Sequence, residues 1–503
     1  MADLGALIAG VLALDPPAHA IEFEGRWESW GGLSARVAAL DALIVPLGLG
    51  ADARVGVMLR NRLPHLAALY ALVAGRRCLV TLNPLYPDET IAADIARLRL
   101  PLVIGDRCDL ARPGIVEAAK ACGAALIAMP EPWESEPELI LEPGAAVDVV
   151  ATAPGVMIEM LTSGTTGVPK RVPLTRDAFQ HSFDVTLKAE GALDAAPMLR
   201  PGVQVSAAPL THIGGVWGAL TAIALGRKLV MLEKFSVAGW VDAVVRHRPR
   251  AGALTAAALR MILDADVPKE ALSSILVVTA GAAPTDPAIV DAFHARYGIP
   301  VLTNYGATEF AGPVARWSLA DFKARWMEKR GAVGRLHGNV EGRVVDPVSG
   351  DPLPPGEEGV LELKARQLVD PQGWLRTSDR ARLDAEDFLW VTGRADGVII
   401  RGGFKVTPED VVRALEAHPA IREAVVVGLS DTRLGHVPVA AIMLASGASQ
   451  PSDAELASFL RETLAPYQVP VLFAVVDDVP RTASMKPVLP EVARLLAGRR
   501  DGA

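Results

Sequence analysis

At 503 residues, 21% of them charged and with a net charge of -8, the chain exceeds what one hydrophobic core encloses, so two or more domains are expected. It carries no dense Lys/Arg stripe, which argues against nucleic acid as a partner. Three cysteines (Cys78, Cys108 and Cys122) lack metal-ligand spacing and read as reduced thiols of a cytoplasmic protein.

In chain order, Met1 to Leu14 is apolar but includes Asp3 and no basic segment, which suits an amphipathic helix rather than a secretory leader. Residues 54–59 and 78–82 read as buried strands with helical spacing over 64–74 between them. The same alternation recurs over 101–128, 203–232 and 275–303, which indicates parallel sheets flanked by helices. Arg227 and Lys228 break the most apolar stretch, so no membrane span is expected. Near residue 331 the texture shifts to short strands and Gly/Pro/Asp turns, the mark of a small β-rich subdomain over about 331–395. Strands at 398–400, 424–427, 437–444 and 471–476, with helices at 408–417 and 453–464, then suit a separate α/β domain.

Between apolar strands at 156–161 and 172–174 lies Thr162-Ser163-Gly164-Thr165-Thr166-Gly167-Val168-Pro169-Lys170. Glycines bring backbone N–H groups close to a ligand, and hydroxyls with an ammonium complete an anion clamp suited to a polyphosphate. Pro169 excludes a Walker A loop, which needs Gly before Lys. After a later strand comes Asn304-Tyr305-Gly306-Ala307-Thr308-Glu309-Phe310. Tyr305 offers a face to a purine, Thr308 a hydrogen bond to phosphate, and Glu309 a hard oxygen ligand for Mg²⁺. A Tyr-Gly turn opening a helix is the plainer alternative. His212, beside Gly214 and Gly215 at a strand end, reads equally as a structural imidazole.

These strings, in this order from 161 to 486, resemble the adenylate-forming enzymes: acyl- and aryl-CoA synthetases, luciferases and peptide-synthetase adenylation domains. The resemblance implies an α/β fold. A large N-terminal AMP-binding domain (1–395) of parallel-type sheets with flanking helices includes the β-rich subdomain. A small mobile α/β domain (396–503) turns on a hinge at Asp396. It implies ATP, Mg²⁺ and coenzyme A as cosubstrates and cofactor, with a small carboxylic acid as substrate. ATP or AMP would be held by Thr162 to Gly167, Lys170, Ala282, Ala283, Asn304, Tyr305, Gly306, Asp379 and Arg394. Lys486, Thr308, Glu309 and His212 would carry catalysis, with Glu309 as the metal ligand. His212, Gly214, Gly215, Trp217, Gly281 and Phe310 would line the acyl pocket, and Gly402, Gly403 and Lys405 would admit the pantetheine arm.

The chain departs from the family pattern at Thr211, in place of an aromatic, at Ser378, Arg171 and Met485, each in place of Gly, and in a shortened 364–374 segment. Methionine before Lys486 is expected to stiffen that loop and slow adenylation. Ser236 follows Phe235 where amino-acid activators keep Asp, so an aryl or aliphatic acid is expected. Rival readings are transfer to a separate carrier protein, a luciferase-like oxygenase, and a decayed nucleotide- or acyl-binding homologue. The fold leaves assembly open, a homodimer included.

Overall fold

Short Val, Leu, Ile and Ala runs with no alternating polar positions suit strands covered on both faces, and the computed structural model places them so. It describes residues 3–131, 135–144, 150–162, 170–193, 195–281, 285–368, 373–394, 397–401, 404–431, 434–464, 466–482 and 485–501. These form two compact units. One contains the described chain to Arg330 together with Ala365–Gly373; the other contains Gly331–Lys364 and the chain from Trp374 onward.

In the first unit, α1 (Leu4–Leu12) opens on Asp3, whose carboxylate accepts the Ala6 N–H, and buries Leu4, Ile8, Val11 and Leu12 along one face. β1 (His19–Phe23) and β2 (Arg26–Ser29) pair antiparallel, and Ser29 caps α2 (Trp30–Ile44). By length and composition Trp30–Leu47 could cross a membrane. Yet it carries Arg36 and Asp41 and buries Trp30, Leu33, Leu40 and Ile44.

There follow β3 (Arg54–Met58), α3 (Leu63–Ala74), β4 (Cys78–Leu82), α4 (Asp88–Leu98), β5 (Leu102–Asp106), α5 (Arg107–Leu110), α6 (Ile115–Ala121) and β6 (Ala125–Met129). With β7 (Glu138–Leu141), β8 (Val156–Thr162) and β9 (Lys170–Thr175) they build a seven-stranded sheet of order β7-β6-β5-β3-β4-β8-β9. Its five central strands are parallel, and the edge strands β7 and β9 are antiparallel to their neighbours.

After α7 (Arg176–Ala189), β10 (Val203–Ser206), α8 (Ile213–Ala224) and β11 (Lys228–Met231) return to β1 in a second sheet, β10-β11-β1-β2. The chain continues through α9 (Val237–His247), β12 (Ala251–Leu254), α10 (Ala256–Asp264), β13 (Val277–Ala280), α11 (Pro287–Tyr297), β14 (Val301–Ala307), β15 (Gly312–Arg316) and α12 (Leu319–Arg325). β12, β13 and β14 are parallel, with β15 antiparallel to β14.

The second unit begins with β16 (Gly334–Leu336), β17 (Glu341–Val345), β18 (Glu358–Lys364), β19 (Leu375–Leu383) and β20 (Phe388–Arg394), antiparallel in the order β16-β20-β19-β18-β17. β21 (Ile399–Arg401), β22 (Phe404–Val406), α13 (Pro408–Glu416), β23 (Ile421–Asp431), β24 (Gly435–Leu444), α14 (Asp453–Leu460), β25 (Phe473–Val475) and α15 (Leu489–Asp501) complete it. Apolar clusters lie on both faces of the β23–β24 ladder, one under α13 and α14 and the other under α15.

The α/β class and the strand–helix alternation agree with the sequence. The β-rich segment groups, by internal contacts, with the residues that follow it.

Candidate functional site

Parallel pairing of Ala280 with Thr303 brings Gly281 beside Asn304 at the carboxyl ends of β13 and β14. A Cβ at Gly281 would collide with the Asn304 amide, so the position has to be small. Ligands of α/β sheets bind at such carboxyl ends. From there β14 runs into one 3₁₀ turn, Thr308–Phe310, which ends at Ala311 (φ +51°) and Gly312 (φ +147°). Gly306 packs on the Gly312 carbonyl, 2.8 Å from where its Cβ would stand. The rings of Tyr305 and Phe310 tilt together at 5.8 Å, and the buried Phe310 offers its carbonyl to the Gln367 amide at 3.1 Å. Glu309 is half-buried and, among the described residues, has no cationic partner, which leaves its oxygens available to a hard cation.

β9 packs against this turn, so the hairpin carrying the phosphate-clamp sequence reaches the same place. Thr162 pairs with Lys170 at its mouth, and Leu161 pairs with Arg171. Thr81 on β4 grips the root: its hydroxyl accepts the Leu161 N–H at 2.9 Å, and its carbonyl accepts Arg171 Nη1 at 2.9 Å. Arg171 also pairs with Asp94 on α4, and among the described residues its buried Nε has no hydrogen-bond partner. Burial pulls its pKa below the usual arginine range, and the Asp94 carboxylate only partly offsets this. The sequence offered no sign that the residue after the loop lysine is an inward-facing anchor.

His212 caps α8 with extended backbone, and its N–H bonds the Pro209 carbonyl at 2.9 Å. Gly215 packs so tightly on that carbonyl that a Cβ would overlap it, while Gly214 is exposed. One turn on, the Trp217 ring lies tilted against Phe183 at 4.1 Å and stacks on Phe179 at 6.1 Å, and a Cβ at Gly312 would lie 3.3 Å from it. The His212 segment, the Tyr305–Phe310 turn and the β8–β9 hairpin are therefore brought together within the first unit. Trp217 also belongs to a packed aromatic cluster.

In the second unit, Asp379 on β19 stands directly opposite Arg394 on β20. The Asp379 N–H donates to Thr377 Oγ1 at 3.1 Å, and that hydroxyl donates to the Leu361 carbonyl at 2.9 Å. Ser378 lies inside the strand without positive φ, so its backbone needs no glycine. Lys405 pairs with Ile400 across the β21–β22 hairpin. Near the C-terminus, Lys486 is exposed on a tight turn: the Thr482 N–H donates to the Lys486 carbonyl at 2.8 Å, and the Lys486 N–H donates to Thr482 Oγ1 at 3.1 Å. Met485 takes φ +64° there, and its carbonyl accepts from Arg481, which also pairs with Glu423 at 2.7 Å. Ser163, Gly164, Thr165, Thr166, Gly167, Ala282, Ala283, Asp396, Gly402 and Gly403 lie outside the described residues, as do the side chains of Thr162, Lys170, Arg394 and Lys405.

Residues 11–370 match the AMP-binding enzyme family, and residues 413–486 match the AMP-binding enzyme C-terminal domain. The chain belongs to the AMP-binding enzyme family. Among AMP-binding relatives, it is 32% identical to the 2-succinylbenzoate–CoA ligase of Bacillus velezensis over 360 residues, 69% of each chain. It is 27% identical to 4-coumarate–CoA ligase 5 of Oryza sativa subsp. japonica over 94% of this chain and 90% of that one. It is 28% identical to 4-coumarate–CoA ligase-like 9 of Arabidopsis thaliana over 67% of this chain, a match that spans 61% of the relative's length. The AMP-binding fold is also that of the o-succinylbenzoate CoA synthetase from Bacillus subtilis solved with its acyl-adenylate intermediate (TM-score 0.78, 24% identity, 97% of each chain).

Proposed function

We propose that the protein activates an aryl or aliphatic carboxylic acid with ATP and transfers the acyl group to coenzyme A. It is an AMP-forming acid–thiol ligase. The observation that carries this reading is the convergence, at the carboxyl ends of β13 and β14, of Gly281, the Asn304–Phe310 turn and the phosphate-clamp hairpin.

In the first half-reaction a carboxylate oxygen bonds the α-phosphorus of ATP, and the bond to pyrophosphate breaks. Negative charge grows on the phosphate oxygens, so catalysis is positioning plus electrostatic stabilisation. The hairpin loop from Thr162 to Lys170 cradles the phosphates, Thr308 donates to one of them, and Lys486 supplies positive charge to the α-phosphate. Mg²⁺, when bound, neutralises phosphate charge, and Glu309 is the side chain suited to hold it. Asp379 and Arg394, opposite each other on one ladder, grip the ribose. In the second half-reaction the coenzyme A thiolate attacks the acyl carbonyl, forms the thioester and releases AMP. The Gly402–Lys405 segment admits the pantetheine arm after the domain beyond Asp396 has turned.

Ser236 supports an acid without an amino group. Its hydroxyl caps α9, accepting the Gly239 N–H at 3.2 Å, and offers no carboxylate to an ammonium. These cosubstrates and reduced thiols suit a cytoplasmic protein.

The test is pyrophosphate release across a panel of aryl and C2–C16 aliphatic acids, with and without coenzyme A. Acid-dependent release with thioester product is the expected result. Release that a carrier-protein thiol completes, and coenzyme A does not, would assign a different acceptor. Silence with every acid, together with measurable nucleotide binding, would mark a binding protein.

A further inference from the structure

The seven-stranded sheet reverses its winding between β3 and β5, because β4 lies on one side of β3 and β6 lies beyond β5. Loops leaving the carboxyl ends diverge at such a point. The loop after β3 reads Arg60-Asn61-Arg62, and its two arginines face carboxylates at the end of β5. Arg60 forks onto Asp109 with both bonds at 2.7 Å. Arg62 donates to Asp106 at 2.7 Å and to Glu131 at 3.0 Å. The fully buried His65 accepts the Arg60 N–H on Nδ1 at 3.3 Å, so its Nε2 carries the proton shared with Asp106 at 2.7 Å. Asp106, Cys108 and Glu131 have metal-ligand spacing, but Arg62 already occupies both carboxylates.

Asn61, between these anchors, spends its amide elsewhere. Its Nδ2 donates to the carbonyls of Ala208 at 3.0 Å and Leu232 at 3.2 Å, and its Oδ1 accepts the Leu210 N–H at 2.8 Å. It is 6% exposed. Two carbonyls on one side and one N–H on the other fix the orientation of the amide. Two of these three main-chain bonds clamp the residues on either side of Pro209, whose carbonyl holds the His212 N–H and the face of Gly215, and the third ties the turn to Leu232.

We propose that Asn61 is the positioning residue of the acyl site: it fixes where His212 and Gly215 stand, and thereby the affinity for the acid. This rests on the reading that the segment after Pro209 walls the acid pocket. ATP is held by other elements, so the effect falls on the acid.

The experiment compares Asn61→Ala and Asn61→Asp with Tyr70→Phe, in the full chain. Tyr70→Phe removes a buried hydrogen bond to the Ala219 carbonyl (3.0 Å) on α8 but leaves the Pro209 turn alone. Asn61→Asp keeps the acceptor for Leu210 and loses both donors. The acid is the best one from the pyrophosphate-release panel. The KM for acid should rise roughly tenfold in Asn61→Ala, the net effect of losing the two buried hydrogen bonds that flank Pro209. The KM for ATP should stay within about twofold, and Tyr70→Phe should leave both unchanged. Amide hydrogen exchange at His212 and Gly215 should accelerate in both Asn61 variants only, and at Leu210 in Asn61→Ala, which alone loses that N–H's acceptor.

An unchanged acid KM in folded Asn61→Ala, or an equal rise in Tyr70→Phe, overturns the proposal. Wild-type protein that activates no acid overturns the ligase reading and the acyl role with it. Exchange that is also unchanged then overturns the clamp itself.

Discussion

Positions 171 and 485 both carry bulky side chains where the adenylate-forming motifs place glycine, and the chain accommodates them in opposite ways. Arg171 lies in an extended strand, and its side chain runs inward to Thr81 and Asp94. Nothing in its backbone requires glycine, and the added atoms tie three elements together. Met485 keeps the left-handed backbone that glycine favours, at φ +64°, a conformation that costs an L-residue about 1–2 kcal/mol. There the departure is tolerated because Thr482 and Arg481 hold the turn from both sides. A missing glycine is thus harmless or costly according to the φ it inherits and the room its side chain finds. The residue name alone reports neither.

The comparison can be broken at four points. Lys486→Ala sets the upper bound on what the tail contributes, and adenylation should fall roughly 10²–10³-fold in a pyrophosphate-exchange assay. A smaller loss would mean that the turn bearing Met485 matters little. Arg171→Gly should destabilise the first unit by about 3 kcal/mol, since removing one partner of a buried pair strands the other. Among the described residues, Asp94 then keeps its 2.6 Å bond to Arg97 alone. Urea unfolding followed by the Trp217 cluster's fluorescence reads this, and an unchanged midpoint would demote Arg171 to filler.

The third point is the acid limb of stability. Burial pushes the Asp106 carboxyl up, but the His65 hydrogen bond and the Arg62 and Arg60 charges outweigh it and hold the pKa below the ordinary value. A depressed carboxyl gives stability that is complete above its unfolded pKa, about 4, and lost as pH falls through the lower folded value. Melting temperature should therefore drop below about pH 4, and Asp106→Asn should flatten that part of the profile while lowering stability at pH 7. The smallest effect belongs to Met485→Gly. Relief of about 1 kcal/mol of strain should change adenylation less than about fivefold, while Met485→Val, worse at positive φ, should slow it. A hundredfold gain with glycine would show that methionine holds Lys486 out of place.

Much of this was visible in the residues. Fully apolar runs such as Val55–Met58 and Leu102–Ile104 announced strands buried on both faces, and the strand–turn signals at Leu161 and Asn304 located the β8–β9 hairpin and the Thr308–Glu309 turn. What was hidden depends on partners distant in sequence. The antiparallel return of β9 is set by pairing across a loop. α2 has too little polar contrast between its faces to announce itself. The Arg60–Arg62 triplet looks like solvated surface until β5 supplies Asp106 and α5 supplies Asp109. The packing of Trp217 against Phe179 and Phe183 was hidden too, because it spans some 35 residues of chain.

The buried carboxylates beside the β3–β5 crevice have a practical consequence at Cys108. It is the exposed cysteine of three, with Cys78 and Cys122 buried. Partial burial, then the charges of Asp109, Glu131 and Asp106, raise its thiol pKa, and burial pushes Cys78 up to about 12. At mildly alkaline pH the native chain should therefore accept one maleimide fluorophore without engineering. That dye would sit where Glu131 meets Arg62, and its emission would report on the carboxylate–arginine cluster at the β3–β5 crevice.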